Sequence, residues 1–163
     1  MLYDLEDIRN FMKQKCINNI KLSGREQLFF DPIEFVRPLG IFEINKKDQC
    51  HCWTIRMWGP FESIYKNGIF SITINFGEYP NSSPKIIFNT KIFHLQVNPS
   101  TQSMCARFIN EWNKETSIIE LLVGIYLFFT EYQNPDSPYD EYNARLYKGN
   151  IGEFYRKAKE WVQ

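Results

Sequence analysis

The sequence predicts an α+β fold, and three observations indicate it. These are an apolar stripe of helical spacing near the amino terminus, four short segments in which apolar residues alternate, and a long apolar segment followed by two shorter helical ones. The four alternating segments are consecutive and are joined by short turns, which is typical of an antiparallel meander. The predicted order is therefore one helix, four strands, a long loop and further helices.

The amino-terminal helix is predicted from an apolar stripe formed by Leu5, Ile8, Met12 and Cys16. Ser23 and Glu26 have the spacing of a capping box, and the pair Asp31-Pro32 indicates a further helix start. Between residues 20 and 36 the pattern does not define the path of the chain.

Four strands are predicted where the apolar period changes to two, at residues 40–44, 52–57, 70–76 and 85–88. The third strand alternates most clearly, because its serine, threonine and asparagine residues fall on one face and its isoleucine and phenylalanine residues on the other. Turn signals rich in glycine, proline and asparagine separate the strands, at residues 59–60, 66–68 and 79–84.

A long apolar helix is predicted after Ser117, a residue type suited to capping a helix amino terminus. The helix is apolar on most faces, so we expect it to be buried and to lie across the sheet. Its apolar residues include Leu121, Leu122, Ile125, Phe128 and Phe129. The proline-containing segment 134–138 ends this helix, and two shorter helices are expected near residues 139–148 and 151–162.

The segment between the last strand and the long helix, residues 92–116, has no apolar period. A long segment without periodicity inside a compact domain is usually functional. This one contains His94, Cys105 and Trp112 and leads directly into the predicted buried helix. We therefore expect the functional site in this loop.

Charge and hydropathy exclude several functions. The chain has 19 basic and 19 acidic residues, so no overall field attracts it to nucleic acid or to anionic lipid. The longest apolar stretch, residues 118–129, is interrupted by Glu120 and is too short to span a bilayer. Asp4 stands where a signal peptide would carry basic residues. The expected location is the cytoplasm, with the nucleus left open as an alternative.

The cysteine pattern gives little support to a metal site. The chain has four cysteines, Cys16, Cys50, Cys52 and Cys105. The triplet 50–52 reads Cys-His-Cys, but no second pair of ligands follows at zinc-finger spacing. We interpret Cys16, Cys50 and Cys52 as free thiols, and we expect no metal and no organic cofactor.

Short motifs follow one another in a defined order along the chain: Gly59-Pro60, residues 65–70, Tyr79-Pro80, His94, Cys105, Trp112, residues 134–138, Tyr155 and Trp161. In order and spacing these motifs resemble the ubiquitin-conjugating enzyme family, over roughly residues 50–163 with a weaker extension to the first helix. The resemblance implies a single ubiquitin-conjugating-type domain over residues 1–163, in which residues 1–36 form a divergent helical part. The family fold has the same order of elements as the one predicted above.

The resemblance implies acyl transfer through a thiol. Cys105 occupies the position that accepts ubiquitin or a ubiquitin-like protein as a thioester from an activating enzyme, before a lysine attacks it. Ser137, or Asp136 beside it, occupies the position that orients the lysine. The implied partners are the modifier, the activating enzyme, and a ligase or adaptor; neither nucleic acid nor a membrane span is implied.

The chain departs from the family pattern before the cysteine. The family sequence His-Pro-Asn is replaced by His94-Leu95-Gln96. By resemblance His94 is a structural residue near the site, and Gln96 is a candidate oxyanion donor with a longer side chain than asparagine. Asn81 and residues 113–115 replace residues that contribute to ligase docking in the family, and the first helix begins with acidic residues where the family has basic ones.

Two other interpretations stay open from the sequence. The departures are typical of a catalytically inactive variant that acts as a binding adaptor, and residues 95–101 are similar to the loop of inactive variants of the Fused Toes type. That group has no cysteine at the active position, whereas this chain has Cys105. The other interpretation is an unrelated α+β binding module. Charging of Cys105 by an activating enzyme distinguishes a conjugating enzyme from the adaptor and from the unrelated binding module.

Overall fold

The computed structural model describes residues 24–29, 31–47, 51–131 and 133–162. Within these ranges a four-stranded antiparallel sheet is followed by helices, so the predicted α+β class is confirmed. The predicted amino-terminal helix and its apolar stripe lie outside the described residues, as do Cys16 and Cys50.

The sheet is a meander in which neighbouring strands in the sequence are also neighbours in space. Its strands are β1 (Ile41–Lys47), β2 (Cys52–Trp58), β3 (Ile69–Asn75) and β4 (Lys85–Phe88). All three pairings are antiparallel, and β1 carries a register shift between Ile41 and Glu43. In β2, β3 and β4 every second side chain is buried, as the period of two predicts.

The helices are α1 (Ile33–Val36), α2 (Arg107–Asn110), α3 (Ile118–Glu131), α4 (Glu141–Gly149) and α5 (Ile151–Glu160). Short 3-10 helices, Gly24–Phe29 and Arg37–Leu39, flank α1. The three carboxy-terminal helices lie where the sequence predicts them, within a few residues at each end. Nothing in the sequence pattern indicates α2, because one helical turn is too short to display a period. None of the helices in the described ranges is long and apolar enough to cross a membrane.

Each of the three later helices begins at a side-chain cap. At α3 the cap is a reciprocal capping box: Glu120 N donates to Ser117 Oγ at 3.1 Å and Ser117 N donates to Glu120 Oε2 at 2.7 Å. Asp140 and Asn150 accept from the first backbone amides of α4 and α5 in the same way. These caps fix the helix starts independently of the core.

The core lies between one face of the sheet and α3. Its aromatic rings join the two layers: Phe70 lies 5.0 Å from Phe129, and Phe88 lies 6.0 Å from Phe128, between ring centroids. The α3 residues that the sequence marked as apolar are 4% exposed or less, so the prediction of a buried helix across the sheet is confirmed. The loop between β4 and α3 is thereby held at one edge of a rigid scaffold.

Candidate functional site

Cys105 lies in the loop between β4 and α3, just before α2. The loop folds back on itself, since Val97 forms a bridge with Met104 and Cys105 N donates to Gln96 O at 2.8 Å. The Cys105 side chain is partly exposed and is not in a disulfide. The backbone of Cys105 is thus held by the segment that precedes it.

His94 is buried, with 6% of its surface exposed. Its Nδ1 accepts from Gln96 N at 3.0 Å, and its Nε2 lies 3.2 Å from Phe128 O, to which it donates. The imidazole stacks on the Phe128 ring at a centroid distance of 4.0 Å. Burial lowers the pKa of His94 to about 3, against an opposing contribution from the Phe128 carbonyl. The ring is therefore neutral at physiological pH, and both its nitrogens are engaged within the loop and α3.

The side-chain amide of Gln96 is fully engaged with backbone groups. Nε2 donates to Asn134 O at 2.6 Å and to Ser137 O at 3.2 Å, and Oε1 accepts from Asn134 N at 2.8 Å. Gln96 is only 3% exposed. Through its backbone it holds Cys105, and through its side chain it holds the segment that contains Asp136 and Ser137.

Further hydrogen bonds join the same two segments. Leu95 N donates to Gln133 Oε1 at 3.0 Å, and Tyr139 N donates to Leu95 O at 3.0 Å. Gln133 Nε2 in turn donates to the hydroxyl of the buried Tyr65 at 2.8 Å. We call this set of bonds between residues 95–96 and residues 133–139 the loop clamp.

Asp136 and Ser137 are exposed beside the loop clamp. Asp136 Oδ1 forms an ion pair with Lys148 Nζ at 2.8 Å, and Asp136 N donates to Asn134 Oδ1 at 3.0 Å. The Ser137 carbonyl accepts a hydrogen bond from Gln96 Nε2. The structure therefore brings all five sequence-predicted site positions into one connected network: His94, Gln96, Cys105, Asp136 and Ser137.

Asn110 is a site residue that the sequence did not indicate. It is the exposed last residue of α2, and its Nδ2 donates to Cys105 Sγ at 3.1 Å. The turn of α2 creates this contact, because Asn110 N donates to Ala106 O and the chain closes back towards Cys105. No sequence signal could have found it, since nothing in the pattern predicted that turn.

A cavity of about 410 Å³ lies next to α2. It is lined by Ala106, Arg107, Phe108, Glu111, Gly124, Leu127 and Phe128. Gly124 permits α2 to approach α3, because a Cβ at this position would lie 3.2 Å from the Phe108 ring. An ion pair between Arg107 and Glu111, 2.9 Å long, lies at the rim.

Asn81 and residues 113–115 directly follow Pro80 and Trp112, which are joined by a hydrogen bond. Trp112 Nε1 donates to Pro80 O at 2.8 Å, and Tyr79 packs edge-on against Trp112. Residue 113 is an asparagine whose Oδ1 accepts from Glu115 N at 2.9 Å. Asn81 lies exposed in the neighbouring turn.

In the described ranges no group of three or more potential metal ligands occurs. Of the predicted free thiols, Cys52 is partly buried in β2, while Cys16 and Cys50 lie outside these ranges. His51 Nε2 lies 3.0 Å from an Arg25 guanidinium nitrogen, an environment that disfavours binding of a cation.

Comparison with known proteins identifies the fold that carries this site. The family model described as ubiquitin-conjugating enzyme matches residues 36–162. The chain is also similar to a solved structure, the E2 domain of a Toxoplasma gondii ubiquitin conjugating enzyme, with 26% sequence identity and a TM-score of 0.71. The match covers 85% of this chain and 96% of that one.

Proposed function

Since the chain belongs to the ubiquitin-conjugating enzyme family, we propose that Cys105 accepts ubiquitin or a ubiquitin-like protein as a thioester and passes it to a lysine. The observation that carries the proposal is the position of this thiol. It is partly exposed, its backbone is fixed by Gln96, and its sulfur receives a hydrogen bond from Asn110. A thiol nucleophile needs access and a positioned neighbour, and Cys105 has a partly exposed side chain with an amide donor at its sulfur.

The reaction is two successive acyl transfers without redox change. In the first, Cys105 Sγ loses its proton and attacks the carbonyl carbon of the modifier's thioester on the activating enzyme, and that enzyme's cysteine leaves as a thiolate that takes up the proton. In the second, a neutral lysine amine attacks the same carbon, the bond to Sγ breaks, and the amine proton passes to solvent. Each transfer places negative charge on the carbonyl oxygen in its transition state.

The residues around Cys105 would serve this chemistry by position. His94 is neutral and enclosed, which suits a residue that holds the loop better than a general base. Gln96 would act through the loop clamp, since its amide hydrogens are already bound to Asn134 O and Ser137 O. Asp136 already binds an ammonium group, that of Lys148, so a role in orienting an incoming lysine fits its chemistry.

A second function, that of a non-catalytic adaptor, is favoured by the same engagement of Gln96. If no donor stabilises the oxyanion, the thiol would turn over slowly and the fold would serve for binding alone. The similarity of residues 95–101 to Fused Toes variants and the exposed Asn81 at a ligase-docking position also favour this alternative.

The deciding experiment is a charging assay. The full chain is incubated with ATP, an activating enzyme and a panel of ubiquitin-like modifiers, and is then run on a non-reducing gel. We expect a mass shift that is lost on reduction and that is absent in Cys105→Ser, where only a reduction-resistant ester can form.

Cys52→Ser is the matched control, because Cys52 is also a partly exposed thiol but lies on β2. It should be charged as the wild type is. If no modifier charges the wild-type chain, the enzymatic function is rejected and the adaptor function remains.

A further inference from the structure

The side-chain amide in contact with the reactive thiol belongs to Asn110 and not to Gln96. We propose that Asn110 is the side-chain donor of the acyl-transfer steps at Cys105, stabilising first the thiolate and then the carbonyl oxyanion. This inference rests on the proposed function and gives it a residue that neither the sequence pattern nor the comparisons assign.

Gln96 is a poor candidate for the same task. Its two amide hydrogens are bound to Asn134 O and Ser137 O, and its oxygen is bound to Asn134 N. Turning this amide towards the thiol would leave three partly buried backbone groups without their partner, and each such group carries a desolvation penalty. The amide is therefore committed to the loop clamp.

The environment of the Asn110 side chain is opposite to that of Gln96. Its side chain is exposed, and its contact with Cys105 Sγ is its only side-chain hydrogen bond to the part of the chain that the structure describes. The amide carries two hydrogens, so one can remain near the sulfur while the other reaches an oxygen. Its backbone is nonetheless fixed, since Asn110 N donates to Ala106 O at 2.9 Å and the neighbouring Phe108 packs on Gly124 of α3.

The chemistry requires a donor at this place. When the modifier is bound as a thioester, its carbonyl carbon is bonded to Sγ, so the carbonyl oxygen is two bonds from the sulfur and can be reached by a side chain that contacts the sulfur. Attack by a lysine amine forms the carbon–nitrogen bond and moves an electron pair onto that oxygen. The electron pair returns as the carbon–sulfur bond breaks, and the thiolate of Cys105 leaves with Asn110 Nδ2 beside it.

The test compares Asn110→Leu, Asn110→Gln and a control, Asn45→Leu, which makes the same change at an exposed asparagine on β1. Each full-length variant is charged and then chased with free lysine, without a ligase. We expect the maximal discharge rate of Asn110→Leu to fall on the order of a hundredfold, with the lysine concentration for half-maximal rate unchanged within about twofold. Asn110→Gln keeps a donor, so its discharge rate should lie between those of Asn110→Leu and the wild type. Asn45→Leu should discharge at the wild-type rate.

A second measurement needs no modifier. Iodoacetamide alkylation of Cys105 at neutral pH, followed by mass spectrometry with Cys52 as the internal reference, should be about fivefold slower in Asn110→Leu, because one hydrogen bond to the thiolate is lost.

The outcomes separate the two proposals. A wild-type chain that charges, together with an Asn110→Leu variant that discharges and is alkylated at the wild-type rates, overturns the role of Asn110 alone. An Asn110→Gln variant as slow as Asn110→Leu also overturns it, because a donor has been restored without effect. A wild-type chain that never charges overturns the proposed function, and the transfer role of Asn110 falls with it.

Discussion

The segments on the two sides of Cys105 use their amide groups in opposite ways. Before Cys105, His94 and Gln96 are 6% and 3% exposed and direct every polar side-chain atom into the protein. After it, Asn110 is exposed and points its amide at the sulfur. The amide that precedes the cysteine is thus bound to backbone groups, while the amide in contact with its sulfur comes from the segment that follows it.

Side-chain length explains the division. Glutamine has one methylene more than the asparagine of the family pattern, and in this chain Gln96 binds backbone groups of both Asn134 and Ser137. The bonds fix the loop, but they remove the amide from the thiol. Asn110 is placed by α2, whose packing on Gly124 brings it towards Cys105.

The largest expected effect on stability is at the loop clamp. Gln96→Leu keeps the approximate size of the side chain but leaves the carbonyls of Asn134 and Ser137, and the amide of Asn134, without their partner. We expect a loss of about 3 kcal/mol in the free energy of unfolding, measured by urea denaturation.

Asn110→Leu is the matched control for this comparison, since it makes the same kind of change at an exposed amide on the other side of Cys105. Its free energy of unfolding should change by less than about 0.5 kcal/mol. Equal losses in the two variants would contradict the division of roles between the two amides.

The next effect is a dependence of stability on pH that arises from His94. Its pKa is lowered from 6.5 to about 3 by burial in the folded protein. Between these values the unfolded chain binds a proton that the folded chain excludes, so stability falls as the pH falls below 6.5 and is fully present above it. Well inside this window, we expect a contribution of about 1.4 kcal/mol per pH unit.

The measurement is a series of urea unfolding curves for the wild type and for His94→Gln, which keeps hydrogen-bonding capacity but does not titrate. The wild type should lose stability more steeply than the variant as the pH is lowered, and the difference isolates His94 from the carboxylates that both proteins share. Parallel pH dependences would mean that His94 is accessible to protons in the fold.

The smallest effect is expected at the exposed ion pair beside the loop clamp. Asp136→Asn removes one exposed charge, so the free energy of unfolding should change by less than about 0.5 kcal/mol. If its carboxylate attracts the incoming lysine, discharge of the charged protein should slow by about threefold.

Lys148→Met tests the same pair from the other side, because it frees the Asp136 carboxylate from its internal partner. We expect discharge to free lysine to become faster by a similar factor. Wild-type discharge rates in both variants would remove Asp136 from the list of orienting residues and leave Ser137 as the candidate.

The elements with local signals could be predicted from the sequence. A period of two marked β2, β3 and β4, and Ser117, a residue type suited to capping, marked the start of α3. The order of short motifs was sufficient to indicate the family and to single out Cys105, because it depends on residue types and spacing alone.

Which groups contact the Cys105 sulfur depends on the folded structure. The partners of Gln96 are 38 and 41 positions away in the chain, so no local pattern could show that its amide is engaged. The contact of Asn110 with Cys105 depends on the single turn of α2, which is too short to leave a period in the sequence and forms where Phe108 packs on α3. Local signals specify elements, whereas the direction of one amide is set by contacts that exist only after the chain has folded.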